Sequence, residues 1–435
     1  MNLNKLKDIF GSFGCNRIFI KILAENDNSK NQVYLGGSFE ILNILPISEI
    51  TADNSGNWQR QRFKAKLNFS WIGEDGHLNS APCAQLILYP KYPEVRFSGF
   101  LNKVENPPSE LMTQRLLNRL LFLGVTKEGN TIGYVSHPDS QVSNEFFQIP
   151  NIEEIGVFKV LNILIDQNNK ERLLNELKRI HNLQWIESKR LDRAGNLHPC
   201  ISSNCGGYTL EAELGITPNG FSEPDFFGWE IKQFGVRSFN HLNNPVITLM
   251  TPEPTGGVYT SKGVEFFIRN YGYPDLLGRN DRLNFGGIHK ADETHFRTNL
   301  KLVLVGFDGS SGKITDTGGC IALIDKKDNE VATWSFLSLI KHWNKKHNQA
   351  CYVPSLSRKN GIRYYYFGKT ILLGFGTDFQ FFLKQMKIGN IYYDPGIKME
   401  NASNVFKIKR RSQFRIKAGN LKSLYKNHEV IDLTV

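Results

Sequence analysis

Residues 223–232 read Glu-Pro-Asp-Phe-Phe-Gly-Trp-Glu-Ile-Lys, an Asp-x4-Glu-x-Lys array formed by Asp225, Glu230 and Lys232 beside a prolyl turn. Side chains two apart on a β-strand point to one face, so Glu230 and Lys232 share a surface while Trp229 and Ile231 take the other. Asp225 lies an odd number of residues before Glu230, and Gly228 can supply the bend that brings it round. Two carboxylates and an ammonium then converge, a donor set that suits Mg2+ and an attacking water or phosphate. A surface hairpin with solvated charges would carry the same three residues.

The segment just upstream favours chemistry. Residues 206–216, Gly-Gly-Tyr-Thr-Leu-Glu-Ala-Glu-Leu-Gly-Ile, predict a short helix with Thr209 as N-cap and Leu210 and Leu214 one turn apart on its buried side. Glu211 or Glu213 could reach the site from it. A Thr-Pro-Asn-Gly turn at 217–220 joins this helix to the charged strand.

These two segments together resemble the MvaI/BcnI group of restriction endonucleases, within the PD-(D/E)xK nuclease superfamily that also holds the MutH nickase. Residues 185–190, Trp-Ile-Glu-Ser-Lys-Arg, and the basic segment 406–425 extend the resemblance over residues 151–435. It implies an α/β nuclease domain with a mixed central sheet (restriction-endonuclease-like). Asp225 and Glu230 would be the metal ligands, Glu211 the accessory acid, and Lys232 the residue that positions or activates water; Glu213 fits the pattern less well. It further implies a type II restriction endonuclease that cuts a short double-stranded DNA site with Mg2+ as a monomer, alongside a cognate DNA methyltransferase. A MutH-like nicking repair enzyme or a non-catalytic DNA-binding regulator are the competing readings.

Composition agrees. The 435 residues carry 53 Lys and Arg against 42 Asp and Glu, a net charge of +11 that favours a polyanionic partner. No apolar run is long enough to span a bilayer and the start lacks a signal-peptide pattern, so the expected location is the cytoplasm. Six scattered cysteines predict free thiols; His198, Cys200 and Cys205 cluster without the second ligand pair that zinc needs. Residues 306–313, Gly-Phe-Asp-Gly-Ser-Ser-Gly-Lys, miss the phosphate-loop pattern and predict a turn between strands.

A polar, turn-rich stretch at 136–151 predicts a linker, dividing a β-rich domain (1–150) from the nuclease domain (151–435). Leu173, Leu177 and Ile180 then recur at helical spacing in an amphipathic helix from 169 to 181. In the first domain, residues 60–69 alternate so that Arg60, Arg62, Lys64 and Lys66 form an uncompensated row of cations suited to a phosphate backbone. A helix over 109–123 would set Arg115 and Arg119 one turn apart. This domain is expected to bind DNA as an effector or specificity module, or simply to buttress the nuclease. At the other end, Phe406, Ile408, Phe414 and Ile416 are expected to bury while Lys407, Lys409, Arg410, Arg411, Arg415 and Lys417 face DNA. Arg282, His289, Lys290, His295 and Arg297 form a second basic and imidazole-rich stretch.

Overall fold

Alternating apolar residues build most of this chain, and strands far apart in sequence pair to bury them. The computed structural model describes residues 1–37, 39–53, 61–73, 76–90, 94–126, 128–163, 169–202, 204–217, 226, 228–347 and 349–434. Two compact units emerge, Met1–Gln167 and Asn168–Val435.

The first unit is β-rich, as expected. A seven-stranded sheet runs in the order Glu153–Ile155, Phe158–Asn162, Arg17–Leu23, Arg119–Val125, Thr131–Ser136, Phe69–Ile72, Leu78–Ser80. A five-stranded sheet orders Val33–Tyr34, Glu94–Ser98, Gln85–Tyr89, Arg62–Leu67 and Ile47–Asp53. Helix Leu3–Ser12, capped by the Asn2 side chain accepting from the Lys5 amide, turns Leu3, Leu6 and Phe10 inward. With helix Gln141–Phe147 it covers the face of the larger sheet that carries Ile18, Ile20, Leu120 and Phe122. Strand alternation sends Phe69 and Trp71 to the opposite face, where the Phe69 ring meets Phe97 of the smaller sheet at 5.1 Å and Trp71 Nε1 donates to the Phe100 carbonyl at 2.6 Å.

Two sequence expectations fail in this unit. Strand Phe158–Asn162 pairs antiparallel with Arg17–Leu23, so the chain beyond residue 150 still belongs to the first unit and the boundary falls at Gln167/Asn168. The expected 109–123 helix is only Ser109–Thr113; Arg119–Val125 is a fully sandwiched central strand whose continuous apolar run has no alternation to betray it. Arg119 is buried there, and its guanidinium donates to the carbonyls of Ala24, Asp27, Leu111 and Leu116. It ties loops together instead of facing a ligand.

The second unit contains a mixed six-stranded sheet. Its path runs Ile186–Glu187, Ile362–Phe367, Gln349–Asn360, Thr370–Phe375, Asn427–Asp432, and Glu230–Gly235 joins the long Gln349–Asn360 strand in parallel. Helix Asn169–Asn182 buries Leu173, Leu177 and Ile180 as its periodicity predicts, each side chain contributing about 2 kcal/mol of apolar burial. These pack with Leu210, Ile231, Val353, Phe367 and Leu373 in one core. Among the described residues five smaller sheets accompany it, one of them joining Val246–Met250, Phe414–Lys417 and Ile391–Tyr393 around an aromatic cluster of Trp334, Tyr393 and Phe414. Residues 306–313 form the expected turn, with 309–312 linking the paired strands Phe307–Asp308 and Lys313–Ile314.

Not all cysteines are free thiols. Cys200 and Cys205, the latter the first residue of helix Cys205–Glu213, form a disulfide with Cα atoms 5.7 Å apart; Cys15, Cys83, Cys320 and Cys351 are free. Among the described residues no helix is long and apolar enough to cross a membrane.

Candidate active site

A tight turn aims the charged strand. Phe226 and Trp229 exchange backbone hydrogen bonds of 3.0 and 2.8 Å, with Gly228 between them in the left-handed region at φ 85°. The turn delivers the chain into strand Glu230–Gly235. Asp225 adjoins this turn in sequence and lies outside the described residues.

Parallel pairing from Glu230↔Ala350 to Gly235↔Ser355 decides which side chains share a face. Trp229 and Ile231 join Cys351 and Val353 in the core beneath helices Asn169–Asn182 and Cys205–Glu213. Glu230, Lys232 and Tyr352 take the other face. There Lys232 Nζ donates to Glu230 Oε1 at 3.0 Å, with side chains 16% and 8% exposed. A carboxylate and an ammonium are thus held together with little water around them, which strengthens their mutual field.

The sheet leaves a slot beside Glu230. Its neighbours across the strands are Ala350 and then Gly374, and a Cβ at Gly374 would lie 2.4 Å from the Tyr425 ring. Tyr425 fills that space and its hydroxyl meets the Tyr352 hydroxyl at 2.8 Å, with both residues buried. Burial pushes both phenols above their ordinary range, and the Glu230 charge adds to the push. Sequence reading did not find this pair; the only signal was Tyr352 lying in register with Lys232, which requires knowing which strands pair.

The preceding helix is Cys205–Glu213, with Asn204 at its N-cap; Thr209, the expected cap, lies inside it and donates to the Cys205 carbonyl at 2.7 Å. Leu210 and Leu214 are buried as expected. The helix packs on the core face of the charged strand. At Gly206 a Cβ would come within 2.6 Å of Gln233 Oε1, so the glycine lets the backbone pass over the strand, while Gln233 Nε2 donates to Ser355 Oγ at 2.7 Å. Glu211 is half-buried on this helix, and Glu213 is engaged by Arg179 and Lys189. Among the described residues no three acidic, imidazole or thiol side chains gather around one point. Glu230 and Lys232 are brought together, while Glu211 belongs to the element on the opposite face.

The two basic stretches of this unit turn out to be neighbours. Strand Arg282–Gly286 pairs with Gly396–Glu400, which pairs with Lys407–Lys409. The register puts Arg282, Asn284, Lys398, Lys407 and Lys409 on one face, with Leu283, Phe285, Ile397 and Met399 on the other. Arg411 lies over Gly396 on the same side, 3.3 Å from where a Cβ would be. Lys407, Lys409, Arg410, Arg411 and Lys417 are exposed. Asp275 and Glu400 offset part of the charge through Arg282 and Lys398.

Several expected DNA contacts are otherwise occupied. Arg415 is half-buried and donates from Nη1 to Asp394 at 2.6 Å. Phe406, expected to bury, is 39% exposed with Arg269 over its ring. His289 and His295 are buried around the Thr298 hydroxyl, at 3.0 and 3.2 Å, and serve the core. In the first unit the row of cations is compensated: Asp53 on the adjacent strand pairs with Arg62 at 2.8 Å and Lys64 at 2.9 Å. Lys66 is exposed opposite Glu49, and Arg60 lies outside the described residues.

Comparison with known proteins identifies the family. The chain is similar to restriction endonuclease MvaI in a complex with cognate DNA, at 21% identity over 60% of this chain and 97% of that one, with a TM-score of 0.44. The same enzyme without DNA gives 21% identity, coverage of 61% and 98%, and a TM-score of 0.34. A UbaLAI restriction endonuclease B3 domain with cognate DNA matches at 18% identity, covering 36% of this chain and 95% of that one, with a TM-score of 0.23. No curated protein matches. The model of the MvaI/BcnI restriction endonuclease family matches residues 174–425, more than half of the sequence and including the strand that carries Glu230 and Lys232. The chain therefore belongs to the MvaI/BcnI restriction endonuclease family.

Proposed function

We propose that the protein is a Mg2+-dependent, site-specific endonuclease that hydrolyses phosphodiester bonds of double-stranded DNA, with its PD-(D/E)xK centre at Asp225, Glu230 and Lys232. The observation that carries this reading is the Glu230–Lys232 pair, closed into one face of the sheet at 3.0 Å within the family-matched region.

The residues fit a hard divalent cation. Glu230 offers a carboxylate of which one oxygen is engaged by Lys232, and Asp225, five residues earlier in sequence, would add a second carboxylate. Glu211, on the helix packed against the other face of the strand, is the accessory acid of this reading. When bound, the cation offsets charge that builds on the phosphate and acidifies water. Lys232 leaves Glu230 to orient the nucleophilic water or to meet the scissile phosphate. Water oxygen attacks phosphorus, the bond to the 3′ oxygen breaks, and the products are a 5′-phosphate and a 3′-hydroxyl.

The face bearing Lys398, Lys407, Lys409 and Arg411, with Arg410 and Lys417 nearby in sequence, supplies the DNA-facing cations of the nuclease unit. Lysines hold phosphates, and arginine reads guanine O6 and N7 by a bidentate contact. The first unit adds an effector or specificity module for DNA, with Lys66 an exposed member of its row of cations. The enzyme acts as a cytoplasmic monomer beside a cognate DNA methyltransferase.

Digestion of a sequenced plasmid with Mg2+, followed by run-off sequencing of the ends, tests the reading and gives target and cut position together. Linear product with uniform ends is expected; nicked circles only would indicate a MutH-like nickase. Asp225→Ala and Lys232→Ala should each lower cleavage by about a thousandfold or more while binding survives. Wild-type cutting by either variant refutes the assignment.

A further inference from the structure

The Tyr352–Tyr425 pair has no part in the chemistry described so far, yet the sheet is shaped around it. Gly374, in line with Ala350 and Glu230 across the sheet, makes room for the Tyr425 ring. Each phenol has one proton. At 2.8 Å one proton joins the two oxygens, which leaves the other free to point away from the pair. Glu230 shares the sheet face with Tyr352, and its charge bears on both hydroxyls.

Lys232 cannot serve two partners at once. In the free protein its ammonium donates to Glu230 Oε1 at 3.0 Å, and it must leave that oxygen to engage water or phosphate. Glu230 is only 6% exposed, so solvent is poorly placed to replace the lost donor, and a buried carboxylate stripped of a donor loses both orientation and stability.

We propose that Tyr352 and Tyr425 are positioning residues for Glu230: the free phenolic proton holds the carboxylate in its metal-facing orientation when Lys232 moves to the substrate. This rests on the reading of the strand as a nuclease centre. The phenols remain protonated throughout, and no bond other than hydrogen bonds changes. Their work is to keep the carboxylate aimed, which affects how well the cation is held more than how fast a loaded complex reacts.

Tyr352→Phe, Tyr425→Phe and the double variant keep the rings and remove only the hydroxyls. Two readouts apply to the full chain: Mn2+ affinity by water-proton relaxation, and the Mg2+ concentration giving half-maximal plasmid cleavage. The double variant is expected to weaken both by roughly tenfold to a hundredfold, the worth of about one hydrogen bond to a charged group, with the rate at saturating Mg2+ changed less than about threefold. A purely structural role would lower the melting temperature and leave metal affinity unmoved, and that outcome overturns the proposal. Wild type that cuts, with Phe variants matching it in both readouts, likewise overturns this inference alone. Wild type that neither binds Mn2+ nor cuts any DNA sinks the nuclease reading and this inference with it.

Discussion

Replacing Lys232 by Met should reveal how much of the fold's stability is tied to its proposed cutting residue. Methionine keeps the length of the stem and deletes the charge, leaving Glu230 with a side chain only 8% exposed and no ammonium beside it. Coulomb attraction at that 3.0 Å separation is about 5.5 kcal/mol at an effective dielectric constant near 20. Lys232 retains 16% of its side-chain exposure, so water offsets part of that, and a net loss of about 2–3 kcal/mol is expected without metal. For a unit of this size that corresponds to roughly 5–10 °C in melting temperature. The assay is urea denaturation in EDTA, followed by the fluorescence of the buried Trp229, Trp334 and Trp343. Adding Glu230→Gln to Lys232→Met should restore most of the loss, since no unpaired charge remains. Saturating Mg2+ should narrow the gap between Lys232→Met and wild type, because a cation replaces the ammonium. Lys232→Met as stable as wild type, or a double variant no better than the single one, refutes the idea that the pair is a coupled buried unit.

The Cys200–Cys205 bridge closes a short loop at the start of the Cys205–Glu213 helix, and reduction should cost the second unit about 2 kcal/mol by chain entropy. Thiol titration of the denatured, unreduced protein checks it: four reactive thiols are expected, and six would show that the bridge is absent. Burial, aided by repulsion from His295, pushes the His289 imidazole down to about 3. Its folded value lies below its unfolded one, so the unfolded chain takes up a proton that the folded one refuses. This group therefore costs nothing above about pH 6.5 and removes about 1.4 kcal/mol per pH unit as pH falls from there toward 3. Urea stability between pH 7 and 5 should drop less steeply in His289→Gln than in wild type; equal slopes would refute it.

What the sequence made legible was local. The alternation around Glu230, the turn at Gly228 and the helical spacing of Leu173, Leu177 and Ile180 each depend on neighbours within a few residues, and each is found where expected. Partners brought in by distant strands were not legible. Asp53 neutralises Arg62 and Lys64 only because a hairpin aligns them, so a row of cations that reads as bare is half paired. Arg282 and Lys409 share a face through the intervening Gly396–Glu400 strand, which ranks together two stretches that looked independent. The strand Arg119–Val125 was misread because a strand buried on both faces shows no period of two, and its flanking arginines happen to sit at helical spacing. Glu211 and Glu213 were indistinguishable by spacing, and the engagement of Glu213 with Arg179 and Lys189 could not be read from it.

The parallel pairing of Glu230–Gly235 with Gln349–Asn360 also has a meaning in time. Parallel partners cannot be joined by a tight turn, and here the second strand is synthesised well over a hundred residues after the first. Tyr425, which closes the slot beside Glu230, comes later still. At ribosomal speeds of about 5–20 residues per second, a nascent chain spends several seconds or more with its charged strand made and its face unassembled. Such an order of synthesis delays closure of the face that carries Glu230 and Lys232 until nearly all of the second unit has emerged.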